Sequence, residues 1–383
     1  MVSIRDAHDP RDNAFNLIRL ILAALVIVSH SWPVSGVGDD PRLGDMKLGV
    51  LAVGGFFGIS GYLITKSRMR TDFFPYLWRR ALRILPAFWV CLIFTGFVAS
   101  AVAGTVHGGW NAQAGLHYVV SNADMWNGDS RVGDTLVGSP FPHTWNGSLW
   151  TLRYEIGCYI LVGLLLYSRL ARTRRWPLLV TFLAATAFGI AESVRHDSGI
   201  LENIALLLPF FLAGAVLFRY SDVVPLNGKI GLAAALLVTA LCAVGLGREL
   251  AALPLAYVMI WLGSALPARL RRLGSRNDYS YGLYVYAFPV QQLLVIAGAT
   301  TFGTTFYIVV SILTTIPLAV ASWWLVEKPA QQLKNVFRPG LSALRGGAPS
   351  PGSAVTSPAV PTGELPTAPD QKPRLSAARR WRR

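Results

Sequence analysis

Long apolar stretches separated by short polar connections dominate the pattern of this chain. Windows of about twenty apolar residues, enough to cross a bilayer as a helix, recur from Ala14 to Val326. We therefore predict an all-α fold, a polytopic membrane bundle of about ten transmembrane helices. The predicted spans are 14–34, 48–65, 84–104, 147–167, 176–194, 200–218, 229–246, 250–268, 279–299 and 304–326.

Beyond Phe337 the pattern changes, because the chain becomes rich in Pro, Ser, Ala and Gly and loses its apolar stretches. Such a segment cannot bury enough apolar surface to offset the entropy lost on ordering. We therefore predict three parts: a cytoplasmic N-terminus at 1–13, a transmembrane domain at 14–330 and a disordered cytoplasmic tail at 338–383.

Composition supports a membrane protein. The chain is 53% hydrophobic and 14% charged, with a mean hydropathy of +0.44, which does not suit a water-soluble protein. With a cytoplasmic N-terminus, the connections place 28 of the 35 Lys and Arg residues on the cytoplasmic side, as the positive-inside rule requires. This asymmetry accounts for the formal charge of +15, so we expect a lipid bilayer and no nucleic acid as partner.

Two polar residues interrupt the first apolar stretch, Arg19 and His30. Their spacing of eleven residues is about three helical turns, so both face one way. Each opposes insertion into the membrane, which favours a functional role. His30 is the only histidine inside a predicted span, and a neutral imidazole can take a proton from a hydroxyl group. A structural histidine remains the alternative.

Near the cytoplasmic end of the second span, four glycines accompany Ser60 in the run Gly54-Gly55-Phe56-Phe57-Gly58-Ile59-Ser60-Gly61. Small residues let a narrow acyl chain approach the backbone, but they serve equally as helix-packing residues. The basic cluster that follows contains Arg80 and Arg83, one helical turn apart. Their guanidinium groups suit phosphate oxygens, although they also suit a role in fixing topology.

Further polar residues lie in later spans. Glu155 shares a helical face with Ser148 and Leu152, and a carboxylate inside the membrane indicates either a functional cavity or an ion pair with Arg19 or Arg153. Tyr281 and Tyr284 would offer hydroxyl groups inside the bundle or at its interface.

The segment 105–146, predicted to lie outside, carries several tryptophans among Asp, Gly and Asn residues. These are Trp110, Trp126 and Trp145. The mixture suits either sugar binding or an interfacial lid. The three cysteines, Cys91, Cys158 and Cys242, lie in predicted spans without paired spacing, so no metal site is expected.

Six motifs occur in one order over about residues 14–330 and together resemble the membrane-bound acyltransferase 3 family. They are Arg19 to His30, Phe56 to Tyr62, Arg80 to Arg83, Trp150 to Glu155, Ser280 to Pro289 and Glu327-Lys328-Pro329.

The resemblance implies transfer of an acyl group, usually acetyl, from cytoplasmic acyl-CoA to a carbohydrate hydroxyl at the bacterial cytoplasmic membrane. In this interpretation His30, Glu155 and Arg19 are catalytic. Arg80, Arg83, Ser60 and Gly61 bind the acyl-CoA donor, which is a co-substrate and not a permanent cofactor. Trp150, Tyr281 and Tyr284 are candidates for binding the substrate. Polysaccharide assembly proteins are possible partners.

The chain departs from the family pattern in two ways. Many members carry a histidine where this chain has Ala287, and serines where it has Thr151 and Arg153. A mechanism with a second histidine is therefore not expected here. A transporter or flippase for a glycolipid or polysaccharide precursor, or a structural partner in an assembly complex, would use the same intramembrane charges, and both remain alternatives at this point.

Overall fold

In the computed structural model, the chain is a bundle of α-helices. The structure describes residues 2–7, 9, 12–126, 128–195, 199–271 and 277–336, so the predicted disordered tail at 338–383 lies outside the described residues. The α-helices within these ranges are α1 (Ile4–Ala7), α2 (Phe15–Ser35), α3 (Leu48–Met69), α4 (Phe73–Ile93), α5 (Ser100–His107), α6 (Ala112–Asn122), α7 (Trp150–Leu165), α8 (Arg169–Thr173), α9 (Trp176–Arg195), α10 (Ile200–Arg219), α11 (Gly228–Ala243), α12 (Gly247–Leu250), α13 (Ala252–Ala265), α14 (Ala268–Arg271), α15 (Ser280–Ile296), α16 (Thr304–Ser322) and α17 (Lys328–Gln332).

Six helical segments in the described ranges are long and apolar enough to cross a membrane, judged by length and composition. One runs without a break from α4 through a π-helix at Phe94–Ala99 into α5. Each of the ten predicted stretches contains a helix, but α7, α11, α13 and α15 have only 14 to 17 residues. A predominantly helical membrane fold is thus confirmed, whereas the number of ten spans is not. The six segments are Phe15–Ser35, Leu48–Met69, Phe73–His107, Trp176–Arg195, Ile200–Arg219 and Thr304–Gln332.

A short hairpin that the helical pattern did not predict connects α2 to α3. Gly36 ends α2 with a φ of 75°, a left-handed conformation that favours glycine. Strands β1 (Arg42–Leu43) and β2 (Met46–Lys47) then pair antiparallel. The connection brings polar side chains back against the last turn of α2.

The glycines of α3 make close contact with α10. A Cβ atom on Gly61 would lie 1.8 Å from the carbonyl oxygen of Phe211, and one on Gly214 would lie 2.0 Å from the carbonyl oxygen of Gly58. Only residues without a side chain let two helix backbones approach so closely. Of the two roles that the sequence allows for Gly61, the structure shows the helix-packing one.

The segments that connect the helices lie at two opposite ends of the bundle, where hydrogen bonds hold them to their neighbours. At the end that we call the Asp40 end, the Asp45 amide donates to the Cys242 carbonyl at 3.1 Å, and Gln292 Nε2 donates to the Phe141 carbonyl at 2.9 Å. At the other end, the Asp278 end, Trp323 Nε1 donates to Asn277 Oδ1 at 3.1 Å. The charge pattern predicts that the Asp278 end is cytoplasmic.

We expect Gly61→Ala to lower the free energy of unfolding by about 1–3 kcal/mol, because the added methyl group must push α3 away from α10. Gly157→Ala on α7 is the matched control, since nothing lies within 4 Å of the position of its Cβ. Thermal melting of the purified variants in detergent measures the difference. Equal melting temperatures for the two variants would contradict the packing role of Gly61.

Candidate active site

A cavity of about 150 Å³ lies near the Asp40 end, between α2, α3, α7, α10 and α15. His30, Trp150 and Tyr284 line it together, although they are separated by more than a hundred residues in the sequence. The structure thus places the predicted base in one cavity with two of the three predicted substrate-binding residues.

His30 lies beside a carboxylate that the sequence reasoning missed. Its Nδ1 is 3.7 Å from Asp40 Oδ1, and the ring packs edge-to-face against Phe288 with 5.3 Å between centroids. Asp40 is held in turn, because Ser29 Oγ donates to its Oδ1 at 2.9 Å and Lys47 Nζ lies 2.9 Å from its Oδ2. An imidazole whose Nδ1 faces a carboxylate keeps Nε2 available to accept a proton.

A second, smaller cavity of about 30 Å³ is lined by Arg19, Glu155 and Tyr281. The carboxylate of Glu155 accepts hydrogen bonds at Oε1 from Ser60 Oγ at 3.0 Å and from the Tyr159 hydroxyl at 2.5 Å. The structure therefore brings the predicted acid and the predicted donor-binding serine into direct contact.

Val53, Thr151 and Tyr284 line both cavities and separate them. The Tyr284 hydroxyl donates to the Ser148 carbonyl at 2.8 Å and lies 2.6 Å from Thr151 Oγ1. We call Val53, Thr151 and Tyr284 the partition. His30 lies on one side of it and Glu155 on the other, so the two predicted catalytic groups do not share a cavity.

Arg19 occupies the Glu155 side, and its acid partner is Asp278. Arg19 Nη1 lies 2.5 Å from Asp278 Oδ2, and no ion pair joins Glu155 to Arg19 or Arg153 in the described part of the chain. Arg83 also pairs with Asp278 Oδ2. The eleven-residue spacing on α2 therefore aligns Arg19 and His30 with two adjacent cavities.

Arg83 contacts a second acid as well, because its Nη1 lies 3.7 Å from Glu327 Oε2.

Burial would raise the pKa of Asp278, but the charges of Arg19 and Arg83 and the hydrogen bonds from Ser280 outweigh it and lower this pKa to about 2. Because folding lowers the pKa of Asp278, its ion pairs stabilise the fold at every pH above the ordinary carboxyl range. This stabilisation is lost only as the pH falls towards 2. Asp278 stays ionised at any physiological pH.

Arg80 differs from Arg83 in having no acid partner among the described residues. It is half-buried one turn earlier on α4, and its Nε is buried without a hydrogen-bond partner. A guanidinium whose charge is not neutralised by the protein can bind an anion. Of the predicted basic pair, Arg80 is therefore available to a phosphate, whereas Arg83 is held by two carboxylates.

The other predicted residues contact neighbouring parts of the protein. The Tyr281 hydroxyl donates to the Ile84 carbonyl at 2.8 Å, and Gly61 packs against α10 and lines neither cavity.

Two tryptophans of the segment 105–146 are held by hydrogen bonds inside the protein. Trp145 is fully buried and its Nε1 donates to Thr135 Oγ1, and Trp110 Nε1 donates to the Gly96 carbonyl. Trp126 is the tryptophan of this segment that is exposed. Within the described ranges, no group of three His, Cys, Asp or Glu residues is arranged to hold a metal ion.

Comparison with known proteins gives consistent similarities. The family model of the acyltransferase domain matches residues 12–324. The O-acetyl transferase of Shigella phage Sf6 is 32% identical over 333 residues, covering 83% of this chain and 96% of the relative. Nodulation protein 10 of Rhizobium leguminosarum bv. viciae is 27% identical over 356 residues, covering 84% of this chain and 94% of that protein. No solved structure is significantly similar.

We expect Asp278→Asn to lower the free energy of unfolding by roughly 3–5 kcal/mol, because two buried guanidinium groups lose their shared carboxylate. The matched control is Asp12→Asn at the same end, where Asp12 Oδ2 pairs with Arg271 at 3.0 Å and is half exposed. Loss of that pair should cost less than about 1 kcal/mol. Thermal melting in detergent compares the two, and equal losses would refute the structural role of Asp278.

Proposed function

The chain belongs to the acyltransferase 3 family, and from this premise we propose the following reaction. The enzyme moves an acetyl group from cytoplasmic acetyl-CoA to a hydroxyl group of a carbohydrate at the opposite side of the bacterial cytoplasmic membrane. The observation that carries the proposal is the position of His30 beside Asp40 in the cavity near the Asp40 end. The partition separates it from a second cavity, whose Arg19 shares Asp278 with Arg83 of α4.

His30 acts as the general base on the carbohydrate side. Its Nε2 takes the proton of the acceptor hydroxyl while Asp40, 3.7 Å from Nδ1, orients the ring and stabilises the imidazolium that forms. The hydroxyl oxygen attacks the thioester carbonyl, the carbon–sulfur bond breaks, and the CoA thiolate leaves and receives a proton. Trp150 lines the same cavity and offers an aromatic face to the sugar.

The donor is bound from the Asp278 end. Arg80 binds phosphate oxygens of CoA, while Arg83 is held by Asp278 and Glu327 and keeps α4 in place. The thioester reaches the cavity that Arg19 and Glu155 line, where Ser60 and Tyr159 hold the carboxylate of Glu155 by hydrogen bonds. A positive charge beside the thioester would stabilise negative charge on its carbonyl oxygen.

Transfer requires the thioester and His30 to meet across the partition. The Tyr284 hydroxyl and Thr151 Oγ1 are 2.6 Å apart, and both side chains line both cavities. We propose that rotation of these two side chains joins the cavities. The family and the charge pattern of the sequence support the other parts of the proposal. These are a carbohydrate of the cell surface as acceptor, a lipid bilayer around the helices, cytoplasmic termini and, in the cell, polysaccharide assembly proteins as partners.

The acceptor is identified by comparing cells that carry the wild type, His30→Ala or a deletion, at matched protein levels. Mass spectrometry of surface polysaccharide before and after mild alkali measures the ester-linked acetyl groups. We expect them to be lost in both variants, because transfer without the general base should fall about 10²–10⁴-fold. Acetyl groups that persist in His30→Ala but disappear in the deletion would remove His30 from the mechanism, and groups that persist in all strains would overturn the proposed function for surface polysaccharide.

We expect Arg80→Gln and Arg83→Gln to have different effects. Arg80→Gln should raise the KM for acetyl-CoA about tenfold and leave the melting temperature unchanged, because the guanidinium has no acid partner in the described structure. Arg83→Gln should lower the melting temperature, because it leaves the buried Glu327 without a cation and Asp278 with Arg19 alone. Both are measured on protein purified in detergent. A KM unaffected by Arg80→Gln would contradict donor binding at this residue.

A further inference from the structure

A third cavity, of about 210 Å³, lies near the Asp40 end between the C-terminal part of α9, the start of α10 and the connection around α12. Leu206 of α10 lines both this cavity and the one that contains His30. The two cavities therefore lie on either side of one side chain. We call the third cavity the Glu192 cavity.

Carboxylates dominate the lining of the Glu192 cavity. Asp45, Glu192, Glu202 and Glu249 contribute four acids, and Arg248 contributes the one basic side chain. Arg248 pairs with Glu202 at 2.8 Å. Among the described residues, the remaining three acids have no cationic side chain within 4.0 Å, so the cavity carries an excess of negative charge.

Glu192 carries the argument, because it is almost completely enclosed and has no partner. It is 3% exposed, its Oε1 is a buried atom without a hydrogen bond, and the described part of the chain offers it no ion pair. A buried carboxylate without hydrogen bonds is costly. Glu192 therefore lowers the stability of the fold at this position. This cost favours a role in binding a ligand that donates hydrogen bonds to its carboxylate.

Its neighbours have different roles. Asp45 Oδ2 accepts a hydrogen bond from the Arg248 amide at 3.2 Å, so it supports the connection at α12. Glu249 resembles Glu192, since its Oε2 is buried without a partner although the residue is only half-buried. Asp45 Oδ1 is likewise buried without a hydrogen-bond partner, so three carboxylates of this cavity have an oxygen that can accept a hydrogen bond from a ligand.

We propose that the Glu192 cavity is a second acceptor subsite, which binds a neutral or amine-bearing sugar unit next to the unit that is acetylated and disfavours sugars that carry a carboxylate. Hydroxyl or ammonium groups donate to Glu192 and Glu249, and charge-assisted hydrogen bonds of this kind are the strong ones. A uronic acid unit would place a like charge beside them. A metal ion does not fit, because the described residues offer no suitable group of three ligands. The inference rests on the proposed function, since the unit at His30 is the one that reacts.

The test uses the full chain in detergent, acetyl-CoA, and oligosaccharides released from the host's own surface polysaccharide as acceptors. CoA release measures transfer. Glu192→Gln keeps the side-chain shape but removes the charge, so we expect the KM for the acceptor to rise about tenfold while the KM for acetyl-CoA stays the same. Glu249→Gln should also raise the acceptor KM. Because Glu249 is only half-buried, this second variant tests the subsite without a change at a fully enclosed position.

Two controls make the result specific. Asp134→Asn removes a charge from an exposed position of the outer segment and should leave the acceptor KM unchanged. Free glucosamine should inhibit transfer by the wild type more strongly than glucuronic acid, and this difference should decrease in Glu192→Gln.

The outcomes separate the two proposals. Transfer that depends on His30 but is unaffected by Glu192→Gln and Glu249→Gln would overturn the subsite alone. Equal inhibition by the two sugars would overturn its charge selectivity. No transfer by the wild type, with CoA release equal to that of His30→Ala, would overturn the proposed function and this inference with it.

Discussion

The burial of two arginine side chains next to each other determines how this bundle is assembled. Arg19 on α2 and Arg83 on α4 would repel each other in a medium of low dielectric constant, and Asp278, just before α15, accepts from both. Glu327, near the start of α17, adds a second acid to Arg83. One carboxylate therefore fixes the relative positions of three helices, and the chain that follows α16 is tied to the same point.

The two cavities depend on this arrangement. α2 carries Arg19 towards one cavity and His30 towards the other, while α7 contributes Glu155 to the first and Trp150 to the second. The close contact of α3 with α10 at Gly61 and Gly214 brings these helices near enough to enclose the space between them. Residues that we propose to act on opposite sides of a membrane are thus connected through helices that are fixed at one end by charge and in the middle by backbone contact.

The sequence predicted the helices because the apolar pattern is a local signal, and every predicted span contains a helix. The intramembrane charges are local signals too, and the structure places Arg19 and His30 in two adjacent cavities. The acids that hold these residues were missed for a physical reason: Asp40 and Asp278 lie in connections, where charged residues are ordinary and carry no signal. The partners of Asp278 come from distant parts of the chain, and so does the contact of Gly61 with Phe211. Asp40 meets His30 only because the hairpin connection turns back towards α2.

The partition has a consequence for the cell. Where the two cavities approach each other, a leak of protons or small ions would cost energy whenever the enzyme is idle. The hydroxyl groups of Tyr284 and Thr151 bond to each other and to the Ser148 carbonyl, so no continuous water path is needed to satisfy them. An enzyme that works as proposed, passing an acetyl group through the bilayer, can thereby remain an electrical insulator between turnovers.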